Sequence, residues 1–194
     1  SYGEMRFILV EHFIISSGLR VIIEGTAIAK YFTHIYASSF YYNEHGEPCW
    51  PAQVINYTNK TQFLFRIEKG ILDINDNAVN DHFAEGELRV PFRNIVYIGD
   101  SATDIPCMRL VNSLGGHSVG VYDLENTASK DTVRRMIRDE RIRYYVPADY
   151  TKGSEMDTLM HQIIDKTAAY EVLEEKHLRD RKEAIGCNDR CHSS

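Results

Sequence analysis

Two carboxylates, Asp100 and Asp104, follow a short apolar run, Ile95, Val96, Tyr97 and Ile98, and a single glycine, Gly99. Acids set just past a buried strand stand where open α/β sheets build their sites, in the crevice beyond the strand ends. Carboxylates this close repel one another unless a cation lies between them. A hard ion such as Mg²⁺, held by a few carboxylates and by substrate phosphate, is the natural partner. The same residues also fit an acidic turn in which Asp100 or Ser101 caps a helix over 103–111. The segment by itself leaves both open.

Two other stretches suit phosphate. Ser16, Ser17 and Gly18 close an apolar run over 7–15. Small residues there let a phosphoryl group approach backbone N–H groups, and the Ser16 hydroxyl can donate to a phosphate oxygen. A small-residue turn capped by Ser17 accounts for the stretch equally well. Farther on, Lys60 precedes Phe63, Leu64, Ile67 and Ile71, which share one face of a helix. The positive end of a helix dipole disfavours a cation, so a lysine at the helix start implies an anion nearby. A solvated surface lysine is the plainer alternative.

The elements that must position these residues alternate between strand and helix. Apolar runs predict strands ending near Ser16, over 34–42, over 95–98, over 117–122 and over 144–146. Helices are expected over 19–24, briefly over 26–32, from about residue 61, over 103–111, from a Ser129 cap to about residue 143, and from Ser154 onward. Asn43-Glu44-His45-Gly46 is a turn, and a returning strand over 53–57 completes a small β-hairpin at about 36–57. Tyr41, Tyr42 and Trp50 on it either line a pocket or cover a sheet edge. Residues 73–87 read as a loop. The fold class is therefore α/β, three-layered and Rossmann-like, with a largely parallel sheet.

With 22 Lys plus Arg against 28 Asp plus Glu, the net charge of −6 argues against a general nucleic-acid or anionic-membrane binder. Arg134, Arg135, Arg138 and Arg141 have acidic neighbours in Asp131, Asp139 and Glu140, which suits a solvated helix face. No apolar stretch approaches a membrane span and no signal segment is evident, so a cytoplasmic protein is expected. Cys49, Cys107, Cys187 and Cys191 form no disulfide framework. Cys187, Cys191 and His192 lack a second ligand pair for zinc, and the charged stretch from residue 171 is expected to fray, with 181–194 a polar tail outside a domain of 1–180.

The order of these signals, a strand ending in Ser16, a helix-starting Lys60 and a strand followed by Asp100 and Asp104, resembles motifs two, three and four of the haloacid dehalogenase superfamily. The hairpin before Lys60 is similar to that of the phosphoserine-phosphatase-like branch. The resemblance implies a Mg²⁺-dependent phosphomonoester hydrolase acting through an aspartyl-phosphate on a small phosphorylated metabolite. It implies that Ser16 and Ser17 hold phosphoryl oxygens, Lys60 balances their charge, Asp100 binds Mg²⁺, and Asp104 holds Lys60 or the ion's water shell. These are the tasks phosphoryl transfer requires, since it is mostly positioning and charge stabilisation.

One motif of that family is missing. Its first, an apolar strand ending in Asp-x-Asp, should precede the Ser16 strand and supply the nucleophile. Only two residues separate Phe13 from Ser16, too few for a crossover between parallel strands. Asp73-Ile74-Asn75-Asp76 has the wrong spacing. The expectation is a carboxyl-terminal part of a phosphatase core, lacking its central strand and its cap, inactive alone and open to self-association along the sheet. The competing expectation is a non-catalytic phosphate-binding or interaction module. A generic nucleotide-binding domain is weaker, because neither G-x-x-x-x-G-K-[ST] nor G-x-G-x-x-G occurs.

Overall fold

The computed structural model describes residues 8–191, without the side chains of residue 85 and of 186–191. Cys187, Cys191 and His192, raised above as a partial zinc site, thus lie outside the described side chains. Contacts divide the chain into two units, Ser1–Ala148 and Asp149–Ser194.

The first unit is mixed α/β with two three-stranded sheets. The first sheet has the order β1 (Phe13–Leu19), β2 (His34–Tyr42), β3 (Pro48–Gln53), with β1 parallel to β2 and β3 antiparallel to it. Short helix α1 (Arg20–Glu24) follows β1. The second sheet, β4 (Val96–Gly99), β5 (His117–Tyr122) and β6 (Tyr144–Pro147), is wholly parallel. Its crossovers are α3 (Ile105–Ser113) and α4 (Thr127–Arg138), the connections that parallel strands require. β5 is buried at every position, its polar His117 and Ser118 included. Instead of one continuous sheet, the expected fold divides here, and among the described residues β1 pairs only with β2 and β4 only with β5.

Helix α2 (Thr61–Lys69) serves both halves. Its Phe63 and Ile67 pack with Tyr36 and Ile55 beneath the first sheet, and its Leu64 joins Tyr97, Cys107, Met108 and Val111 beneath the second. Ile15 of β1 packs against both clusters. α2 stops at Gly70, which takes φ +75°, a left-handed terminus that glycine adopts without penalty.

Two boundaries differ from expectation for local reasons visible in the hydrogen bonds. The hairpin's return strand is Pro48–Gln53 rather than 53–57, because the Asn43 side chain accepts from the N–H groups of both His45 and Glu47 and closes the turn early. Prolines at 48 and 51 are tolerated because β3 is an edge strand, where an N–H is dispensable. α4 is capped by Asn126, whose Oδ1 accepts from the Ser129 N–H at 3.2 Å, so Ser129 lies inside the helix. The arginine face of α4 is exposed, with only loose pairs such as Arg134–Asp131 at 3.9 Å.

The second unit carries α5 (Glu155–Cys191). Its start is a reciprocal cap: Ser154 Oγ accepts from the Asp157 N–H, and Asp157 accepts from the Gly153 N–H. The stretch from residue 171, expected to fray, is helical to Cys191. Its Glu, Lys, Leu, Ala and Arg residues are strong helix formers, and pairs such as Lys176–Asp180 at 2.7 Å stand one turn apart. Among the described residues no helix is long and apolar enough to cross a membrane.

Candidate functional site

The site is built on the carboxyl end of β4 and the first residue before α2. Gly99 ends the strand, a 3₁₀ turn spans Ala102–Asp104, and α3 begins at Ile105. Lys60 occupies the position ahead of α2. Its Nζ lies 2.7 Å from Asp104 Oδ1, and the two side chains are only 7% and 9% exposed. Neither charge could be buried alone, because an unpaired ion in a dry interior costs several kcal/mol. The anion that the lysine's unfavourable place at a helix start implies is therefore a protein carboxylate.

Asp104 is held by three donors. Besides Lys60, the Tyr97 hydroxyl donates to Oδ1 at 2.9 Å and the Ser101 hydroxyl to Oδ2 at 3.0 Å. Burial opposes the charge on Asp104, yet Lys60, with Tyr97 and Ser101, holds its carboxyl below the ordinary carboxylate range. Burial pushes the Tyr97 phenol well up, and the nearby Cys107 and Asp104 add to that rise. The Cys107 thiol is pushed up by burial to about 11 and is hydrogen-bonded to Tyr97. Because the phenol's one proton goes to Asp104, the thiol proton is the one available for the Tyr97 oxygen.

Gly99 makes this approach possible. A Cβ there would lie 2.8 Å from both Cβ and Cγ of Asp104, closer than real side chains allow. Ser101, considered above as a helix cap, makes no capping hydrogen bond, and its hydroxyl is committed to Asp104 and Thr103. Asp100 caps nothing either. It is exposed, and among the described residues its carboxylate forms no hydrogen bond or ion pair.

Ser16 and Ser17 lie inside β1, which does not end near Ser16 as expected but runs on to Leu19, and the register with β2 shifts between Ser16 and Leu19. The Ser16 Oγ accepts from the Gly18 N–H at 3.0 Å, which leaves its own proton to donate. Ser38 donates to the Ser17 carbonyl, so the Ser17 end is anchored to β2 while Ser17 and Gly18 stay exposed. The structure thus joins Lys60 to Asp104. Among the described residues it gives Ser16, Ser17 and Asp100 no bond to that pair.

The donor set fits Mg²⁺ in a limited way. Asp104 has both oxygens occupied, so Asp100 is the one available carboxylate of the two, and Mg²⁺ commonly takes one or two with water and phosphate completing its shell. Among the described residues no group of three or more His, Cys, Asp or Glu converges on one point. Tyr97 is the site residue that sequence reasoning missed. It looked like one more apolar residue of a strand, although a tyrosine at a fully buried strand position signals a hydroxyl in need of a partner.

No protein-family model matches the chain, and no solved structure matches it. It is similar to an uncharacterized protein of Borreliella burgdorferi, 24% identical over 161 residues that make up 76% of this chain and 55% of that protein. The chain therefore spans little more than half the length of that relative.

Proposed function

We propose that this chain carries the phosphate-binding part of a Mg²⁺-dependent phosphomonoester hydrolase of the haloacid dehalogenase type. The observation that carries the reading is the buried Lys60–Asp104 pair beside Asp100 at the end of a parallel strand. On this reading the sheets are two parts of one three-layer core, and a strand bearing the nucleophilic aspartate belongs to a segment beyond these 194 residues. The small phosphorylated substrate would meet the Ser16 hydroxyl and Ser17 N–H on one side and the Lys60 ammonium on the other. Mg²⁺ on Asp100 would offset the phosphoryl charge. Asp104 holds the Lys60 ammonium in place.

The test is Mg²⁺-dependent hydrolysis of p-nitrophenyl phosphate by the longer translation product containing this chain. Asp100→Ala should lower kcat about 100-fold or more. The 194-residue chain alone should be no faster than its own Asp100→Ala control. Inactivity of the longer protein sinks the assignment. Robust activity of the short chain that Asp100→Ala abolishes places the nucleophile among residues read here as bystanders. The missing nucleophile favours one alternative, a non-catalytic module, for which binding of Mg²⁺ and phosphate without turnover is the signature.

A further inference from the structure

The requirements of a strand core do not explain Tyr97. Its position in β4 is buried, packed among Leu64, Met108 and Val111. Phenylalanine would fill it without a hydroxyl whose burial costs free energy unless a partner is found. The partner found is Asp104 Oδ1, the same oxygen that already receives Lys60 Nζ. Ser101 occupies the other oxygen. Three donors from three segments, the start of α2, the body of β4 and the turn after it, therefore fix both the position and the plane of one carboxylate.

For the lysine, the consequence is geometric. An ammonium has three N–H groups, and among the described residues Lys60 Nζ has a single protein acceptor. Two N–H groups on a nearly buried cation remain for an anion. An ammonium held only by a rotating carboxylate would drift toward whatever anion arrives, and part of its binding energy would be lost in reorganisation. Charge stabilisation works when the donor is already in place.

We propose that Tyr97 is a positioning residue, which locks the Asp104 carboxylate so that Lys60 presents its two remaining N–H groups to a phosphoryl oxygen in a fixed place. The proposal rests on the phosphatase reading for the identity of the anion. Its geometry, however, is measurable without turnover.

The experiment uses the full-length protein containing this chain and compares Tyr97→Phe with wild type in two ways. The first is the ¹⁵N–¹H signal of the Lys60 ammonium, identified by its loss in Lys60→Met; a rigidly bonded, buried ammonium exchanges slowly enough to be seen. The second is the steady-state hydrolysis of p-nitrophenyl phosphate with Mg²⁺. Tyr97→Phe should broaden or abolish the ammonium signal and lower kcat about 10- to 100-fold, with KM changed less than about 3-fold. Ser101→Ala should move both readouts in the same direction, and it decides the matter if Tyr97→Phe does not fold. Loss of the ammonium signal in a protein with no wild-type activity supports the positioning and overturns the phosphatase reading alone. A lowered melting temperature with an unmoved ammonium signal, or wild-type values of both readouts, overturns the positioning.

Discussion

Lys60 and Asp104 stand 44 positions apart in the chain and 2.7 Å apart in the fold, both almost wholly out of water. The pair ties the start of α2 to the turn after β4, and so ties the helix that covers both sheets to the strand that carries the candidate site.

Breaking the pair should cost more than its surface counterparts. Asp104→Asn leaves Lys60 buried and uncompensated, with an expected loss of about 3 kcal/mol or more in urea unfolding at pH 7. The pH dependence follows from the lowered pKa of Asp104. Above the ordinary value of 3.8 the carboxylate is ionised in both folded and unfolded chains, and its stabilising contribution is complete. As pH falls below that value the unfolded chain takes up the proton first, and the contribution drains away until the folded carboxylate is protonated as well. Unfolding curves between pH 7 and 3 should therefore show a shallower acid-side decline in Asp104→Asn than in wild type. Parallel declines would contradict this.

Gly99 is expected to be intolerant of any side chain. In Gly99→Ala the new methyl would meet Cβ and Cγ of Asp104 at 2.8 Å, and Asp104 cannot yield without loosening three hydrogen bonds. The expected cost is roughly 1–3 kcal/mol by chemical denaturation. Gly86→Ala, where a Cβ meets nothing within 4 Å, should stay within about 0.5 kcal/mol of wild type. Equal stabilities of the two variants would show that the close approach is not constraining.

The unpaired flanks of β1 and β4 predict the behaviour of the 194-residue chain alone. Each pairs on one side only among the described residues, and Ile98 of β4 is 40% exposed. Val21, Ile22, Ile28 and Tyr31 add exposed apolar surface after β1. Unpaired edges beside apolar surface recruit other chains. Self-association by light scattering, or a broad melt by calorimetry, is expected. A sharp two-state melt of a monomer would contradict this. The outer edge at β3 should take no part, since Pro48 and Pro51 remove N–H donors from that strand.

What could be read from the sequence was local. Periodicity and punctuation located β2, β4, β5 and β6, the start but not the end of β1, the start of α2 beside Lys60, and the carboxylates just past Gly99, because burial period, turn chemistry and strand length are properties of short segments. The same local rules misplaced β3 at 53–57 and the α4 cap at Ser129, where an asparagine side chain a few residues away had the better geometry. They also ended the last helix too early, by treating charge as disorder rather than as helix-forming side chains. Tertiary structure alone decided that the sheet divides between β1 and β4, since strand pairing is non-local. It alone gave Tyr97, Ser101 and Lys60 a common partner in Asp104. The residue types could say that each polar group, if buried, must find an acceptor; only packing could say that all three would find the same one.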